Sequence, residues 1–517
     1  MTLFASRAMA GLFVAAWLAA VPFAAVAADS AGPVVKTELG AVRGTAGAVE
    51  AFKGIPYAAP PVGPLRWRPP QPAAPWTGVR DASRFGHDCE QTPYVIPTGQ
   101  TPSEDCLHVD VWRPRGAGAK PRPVMVYIYG GAFIGGSTAY PLYDPARLTA
   151  KGVIVVAVSY RVGILGFLAH PMLSAESPQH ASGNYGLLDQ IAALKWVRAN
   201  IANFGGDPDK VTVFGESAGA TSIAFLMTSP LAKGLFQQAI LESTALEQLP
   251  TLASAEKAGA AVAPDIATLR AMSADDLLKL NGAFTAHAGT DSFHMPTPTI
   301  DGYVLPLQPR KAFETGAFTA VPTIIGYNAD EGRMTNDVPP DLTVEGYRAR
   351  LKALYGDKAA DVLRLNPASD DAEARTAAIS IFGDGLFNEG SRLVARSLAA
   401  REPRTFSYLF TRSVGGAGPP PTHSEELAYV FGTLTAPAFV KHGPPDAADW
   451  ALSRQIETLW ARFAATGDPN GPGLPVWPAY DASDPYLELG VPVRAGAGHR
   501  TAQLDVMKAI DDAQPDF

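Results

Sequence analysis

Through the first half of the chain, short continuous apolar runs alternate with longer segments of helical period. "RPVMVYIYGG" (122–131) and "GVIVVAVSY" (152–160) read as buried strands. "GNYGLLDQIAALKWVRANIANFGG" (183–206) places Leu187, Ile191, Leu194, Val197 and Ile201 on one helical face. "KVTVFG" (210–215) reads as a strand, "SAGATSIAFLMTS" (217–229) as a helix and "FQQAILES" (236–243) as a strand again. Later, "AVPTIIGYN" (320–328) and "RTFSYLFTR" (404–412) repeat the strand type, and "TLWARFAATGDPN" (458–470) is a late amphipathic helix stopped at Gly467 and Pro469. This order predicts an α/β protein: a mostly parallel central sheet with helices on both faces. Segments 245–300 and 335–402 break the alternation. They read as helical excursions over one edge of the sheet, within a single domain of residues 28–517.

"VTVFGESAGA" (211–220) carries chemistry. Gly215 and Gly219 stand two residues either side of Ser217, between a predicted strand and a predicted helix. A serine on a very sharp strand-to-helix turn brings the backbone at those flanking positions together, where side chains would collide. A hydroxyl is a weak nucleophile, so it needs a base, and the base needs a carboxylate behind it. On an open parallel sheet all three come from loops at the carboxyl ends of strands.

Chain order serine, acid, histidine filters the nine histidines. His87, His108, His170 and His180 come too early. His287 and His294 precede the expected acid, and His442 has no strand leading into it. His499 sits in a glycine-rich stretch near the C-terminus. His423 follows the strand "FSYLF" and a loop, and precedes the helix-like "SEELAYVFG". For the acid, "PTIIGYNADEG" offers Asp330 and Glu331, and the residues alone do not choose between them. Charge developing on a substrate carbonyl needs N–H donors. Ala218 supplies one, and the loop "YGGAFIGGST" (129–138) can supply others. A phosphate loop is the competing reading, but no lysine precedes Ser137 or Thr138.

Bulk properties narrow the partners. A net charge of −8 argues against nucleic acid. Only Cys89 and Cys106 are present, and with no histidine cluster to join them they make no metal site. Nothing calls for a cofactor. The start, "MTLFASRAMAGLFVAAWLAAVPFAAVAADS", has one early charge, an apolar stretch and Ala25-Val26-Ala27. It reads as a signal peptide of residues 1–27, cleaved before Ala28, with an uncleaved anchor as the alternative. No later stretch is long and apolar enough to span a bilayer. The expected product is exported, periplasmic or secreted, without stable membrane insertion. In that oxidising compartment Cys89 and Cys106 are expected to pair, closing a loop worth roughly 3 kcal/mol.

Together these stretches resemble the type-B carboxylesterase/cholinesterase family of α/β-hydrolases. The resemblance runs through "AFKGIPYAAPPVGPLRWRPPQP" (51–72), "SEDCLHVDVW" (103–112), "YGGAF" (129–133) and "ASGNYGLLDQIAALKWVRANIANFGGDPDKVTVFGESAGA" (181–220). It continues in "PTIDG" (298–302), "GYNADEG" (326–332) and "HSEELAYVFG" (423–432). It implies a carboxylic ester hydrolase working through an acyl-enzyme, with Ser217 as nucleophile, His423 as base and Glu331 as acid. It implies oxyanion donors at Gly131, Ala132 and Ala218, and supporting roles for Glu216 and Ser243. It also implies that Cys89–Cys106 closes a surface loop, near an Arg66–Glu104 ion pair.

Departures from the family shape the expected substrate. The loop between the cysteines has Tyr94 but no tryptophan to bind a quaternary ammonium. The segment bordering the acyl pocket offers Phe293, His294 and Met295 instead of paired phenylalanines. "GGAF" has alanine where many relatives have a third glycine, a loop resembling those of esterases that accept bulky alcohols. The expected substrates are small, mainly uncharged, short- to medium-chain esters. Alternatives are a specialised hydrolase of a mycotoxin ester, carbamate or amide, and a non-catalytic adhesion module.

Overall fold

The computed structural model describes residues 32–92, 98–116, 120–263, 265–282, 297–335, 337–436 and 443–513. The proposed leader, Tyr94, His287, Phe293, His294, Met295 and His442 lie outside these residues.

Ten strands form the main sheet. In spatial order they are Arg494–Ala497, Pro485–Leu489, Thr405–Phe410, Thr323–Asn328, Gln238–Glu242, Gly206–Glu216, Arg122–Ile128, Ile154–Val158, His108–Pro114 and Val49–Pro56. The seven from Pro485–Leu489 to Ile154–Val158 run parallel, and antiparallel strands finish both edges. The central strands read as continuous apolar runs because helices cover both faces. Ile154–Val158 and Thr323–Asn328, for example, are buried at every position.

The expected helices are present with shifted ends. The 183–206 pattern is an α-helix over Tyr185–Asn200, tightened to a 3₁₀ turn over Ile201–Phe204. The late helix starts earlier than its pattern suggests, at Ala447, where Asp446 and Asp449 form a reciprocal capping box. "SEELAYVFG" yields only the short helix Leu427–Val430. The first excursion contains helices Leu252–Val262, Ile266–Ala271 and Ala274–Leu278. The second contains Val344–Tyr355, Ala359–Leu365, Asp371–Gly383 and Glu389–Ala399. Among the described residues no helix is long and apolar enough to cross a membrane.

Cys89 and Cys106 are joined by a disulfide. Beside it, Arg66 meets Glu104 through two bonds, Nε–Oε2 at 2.7 Å and Nη2–Oε1 at 2.5 Å. Arg66 Nη1 also donates to the carbonyls of Leu269 and Met272, at 3.1 and 2.9 Å. One buried guanidinium thus satisfies the end of a helix in the first excursion and fixes it to the disulfide region.

The sheet also decides where a ligand can sit. Strand Arg122–Ile128 has the next strand in sequence, Ile154–Val158, on one side and Gly206–Glu216 on the other. The strand order reverses there, and loops leaving the two neighbours diverge. Open α/β sheets bind ligands in that crevice, beyond the carboxyl ends of the strands.

Candidate active site

Ser217 lies at this reversal point. Strand Gly206–Glu216 runs directly into it, and helix Ala218–Thr228 starts after it. Its backbone is strained, at φ 57° and ψ −126°. Ser217 N–H donates to Glu242 O at 2.8 Å, and Thr221 N–H donates to Ser217 O at 2.8 Å. The flanking glycines are required by space. A Cβ on Gly215 would lie 2.9 Å from the carbonyl carbon of Gly219, and one on Gly219 would lie 2.0 Å from Ile128 O. Any larger residue would force the turn open.

Strain is concentrated here. Nine non-glycine residues have positive φ among the described residues, and five of them surround this turn: Ala132, Phe133, Ser217, Ser243 and Ser424. Each costs on the order of 1–3 kcal/mol and persists only where neighbouring contacts fix it.

The glycine-rich loop leaves strand Arg122–Ile128 beside the serine. A Cβ on Gly130 would come within 3.0 Å of Ser217 Cβ. The N–H groups of Gly131 and Ala132 have no hydrogen-bond acceptor among the described residues. Ala218 N–H is a first-turn helix donor and is equally free. Ala218 follows Ser217 directly, and Gly131 and Ala132 follow Gly130, which lies against it; the helix N-terminus there also favours negative charge.

His423 reaches the site from the loop after strand Thr405–Phe410. Its Nδ1 lies 2.6 Å from Glu331 Oε2. Glu331 opens the 3₁₀ turn Glu331–Met334, three residues after strand Thr323–Asn328 ends. Its second oxygen accepts from Ser243 Oγ at 2.5 Å and from Asn328 N–H at 2.7 Å. Asp330, its neighbour in sequence, instead pairs with Arg333, whose Nε lies 2.7 Å away. The two candidate acids therefore face opposite ways, and only Glu331 meets the imidazole.

On its other side, His423 Nε2 lies 3.0 Å from Glu216 Oε1. Ser424 Oγ donates to that same oxygen at 2.5 Å. No hydrogen bond joins Ser217 to His423 in this arrangement. Burial disfavours a charged ring, but Glu216 and Glu331 outweigh it and hold the imidazole above its ordinary value of 6.5. Burial likewise raises Glu216, with His423 acting in the opposite direction. Behind the turn, burial pushes Glu242 up to about 8, despite the bond from Trp460 Nε1 at 2.8 Å.

Several neighbours escaped the sequence reading. Phe387 stacks on His423 at 4.2 Å between ring centroids, nearly parallel. It comes from a π-helical turn, Asp384–Asn388, inside the second excursion. Such turns concentrate at functional sites, but nothing local in the sequence announces one. Asn328 holds the histidine loop through Nδ2 to Thr422 O at 2.9 Å, and it also bonds the buried Glu426. Glu426 lies three residues after His423, within the stretch that carried the resemblance, which gave it no role.

Comparison with known proteins agrees with the fold. The carboxylesterase family matches residues 31–507. The chain is 44% identical over 490 residues to fumonisin B1 esterase of Sphingopyxis macrogoltabida, covering 93% of this chain and 90% of that protein. It is 38% identical over 465 residues to para-nitrobenzyl esterase of Bacillus subtilis (strain 168), covering 86% and 92%. A solved structure of PNB esterase matches it with a TM-score of 0.78 at 36% identity, covering 92% of this chain and 99% of that one. The chain belongs to the carboxylesterase family, has the α/β-hydrolase fold and is a carboxylic ester hydrolase.

Proposed function

We propose that Ser217, His423 and Glu331 form the catalytic triad, with oxyanion donors at Gly131, Ala132 and Ala218. The observation that carries this reading is the convergence of four separate strand ends at one edge of the sheet. A strained serine, a histidine–carboxylate pair and unpaired N–H groups meet where the strand order reverses. His423 takes the Ser217 proton at Nε2 as Oγ bonds to the ester carbonyl carbon. The carbonyl π pair moves to oxygen, which the three N–H groups receive. The C–O bond to the alcohol then breaks, and that oxygen takes the proton from Nε2. Water repeats the sequence on the acyl-enzyme and releases the acid. Glu331 keeps the Nδ1 proton in place throughout.

The 3.0 Å approach of Nε2 to Glu216 suits a protonated ring, which donates from both nitrogens. Once neutral, Nε2 carries a lone pair that repels Glu216 and can accept from Ser217. Activity is therefore expected to rise as pH increases through a midpoint above 6.5, since only the neutral ring is a base. Glu216→Gln removes one of the two carboxylates that raise the ring and should move that midpoint down. A pH profile of kcat/KM in both proteins reads this directly. An unmoved or raised midpoint in the variant contradicts it.

The proposed substrates are neutral, short- to medium-chain aryl and alkyl esters. The proposed working form is a single catalytic domain of residues 28–517, exported after loss of a signal peptide; the disulfide fits an oxidising compartment. A fluorophosphonate should label Ser217 stoichiometrically, and labelling of another serine would overturn the assignment. An ester panel tests range. Choline esters should be preferred over the matching 3,3-dimethylbutyl esters by less than about tenfold, roughly 1.4 kcal/mol. A second reading is a specialised esterase, favoured by the 44% identity to fumonisin B1 esterase. Rapid turnover of fumonisin B1 with poor turnover of simple aryl esters would select it.

A further inference from the structure

The strained loop that carries Gly131 and Ala132 is held from outside by the disulfide region. We infer that Gln91, two residues past Cys89, is a positioning residue that sets the oxyanion donors. This rests on the reading of Gly131 and Ala132 as those donors.

Gln91 pairs with the main chain of Gly136 as one amide pairs with another. Gly136 N–H donates to Gln91 Oε1 at 2.8 Å, and Gln91 Nε2 donates to Gly136 O at 2.9 Å. The same Nε2 donates to Cys89 O at 3.0 Å, so the side chain is fixed at its own root. One residue on, Ser137 Oγ donates to Asp88 Oδ1 at 2.5 Å, and Thr98 Oγ1 donates to Asp88 Oδ2 at 2.5 Å. Asp88 and Gln91 flank the disulfide cysteine, so the covalent bond, the amide pair and the carboxylate anchor act at one place.

The loop transmits that position because it is folded on itself. Ile134 and Gly135 N–H both donate to Gly131 O, at 3.0 and 3.2 Å. A Cβ on Gly136 would lie 2.7 Å from Gly130 O, and one on Gly131 would lie 2.2 Å from Gly135 O. The tethered end thus packs directly against the donor end. The donor end has little intrinsic preference for its shape, with Gly131 at φ 113°, Ala132 at 53° and Phe133 at 62°. Without an external hold, left-handed alanine and phenylalanine relax toward ordinary backbone, and the N–H vectors turn with them. From the opposite side, Gly163 N–H donates to Phe133 O at 2.6 Å and fixes this stretch further.

The test uses the disulfide-intact enzyme with Gln91→Met, which keeps side-chain length and removes the amide. Ser137→Ala, which releases the Asp88 anchor, is the second variant and carries the test if the first does not fold. Each is assayed for kcat and KM on an aryl ester, for thermal midpoint, and for inhibition by an aliphatic trifluoromethyl ketone. That ketone adds the serine oxygen to its carbonyl carbon and leaves the negative charge in the oxyanion site. Losing a whole donor lowers kcat by about a hundredfold to a thousandfold, so a displaced pair should lower it by roughly ten- to a hundredfold. KM should stay within about twofold, and ketone affinity should fall by the same factor as kcat/KM. A purely structural role would lower the thermal midpoint and leave ketone affinity unchanged in the folded fraction. Wild-type kcat/KM and ketone affinity, or a lower kcat with unchanged ketone affinity, overturns the inference. Ketone binding to Ser217→Ala separates the two readings. Tight binding retained there sinks the oxyanion assignment and this inference with it. Binding lost there, beside wild-type behaviour of the Gln91 and Ser137 variants, sinks this inference alone.

Discussion

Ser217→Ala is expected to lower kcat by at least about a thousandfold while the protein remains folded. The size of the loss follows from chemistry. Without Oγ there is no covalent route, and the remaining site can only polarise a carbonyl for attack by water. The specificity of the loss follows from structure. Ser217 Oγ makes no hydrogen bond among the described residues, so its removal orphans no partner. Alanine meets the same strain at φ 57° that serine already bears. Far-UV circular dichroism and the thermal midpoint should therefore match the parent protein, and substrate KM should change little. Turnover within tenfold of the parent would remove Ser217 from the mechanism.

Glu331→Gln should be nearly as damaging, on the order of a thousandfold to ten-thousandfold in kcat. The amide can still accept from Ser243 and Asn328 through its oxygen, because both donate to the same carboxylate atom in the parent. Its nitrogen then faces His423 Nδ1, which must offer a lone pair. That places the ring proton on Nε2, where it cannot accept from Ser217. Asp330→Asn should change kcat by no more than about threefold, since Asp330 meets Arg333 away from the imidazole and exposed pairs contribute little. Steady-state kinetics on the two variants side by side decide the matter. Equal effects, or the reverse ranking, would show that the acid is misplaced by one residue.

Physical pattern alone separates these two neighbours poorly. Asp330 and Glu331 are adjacent acids after one strand, and a strand end does not dictate which of two consecutive side chains turns inward. The resemblance named Glu331, and the tertiary structure gives a reason. The 3₁₀ turn begins at Glu331, and its carboxylate is drawn back onto Asn328 N–H at the strand end. Gly332 packs so tightly against the helix Asp371–Gly383 that a Cβ there would lie 1.8 Å from Ile379 O. The second excursion therefore helps to fix Glu331, a role wider than that of a cover.

The sequence by itself determined the layer architecture and the strand-to-helix turn at Ser217, and it singled out His423, the histidine that the fold pairs with Glu331. These depend on local rules: strand and helix periods, the space two glycines leave, and the order in which loops leave parallel strands. It did not determine the antiparallel edges, whose partners are far apart in the chain, such as Val49–Pro56 with His108–Pro114. Nor did it reveal Phe387 over the imidazole, the Gln91 pair with Gly136, or Glu216 on Nε2. Each joins segments tens to hundreds of residues apart through a single side chain, which leaves no period or spacing to read. Folding decides those contacts, because only the packed sheet brings their loops to one edge.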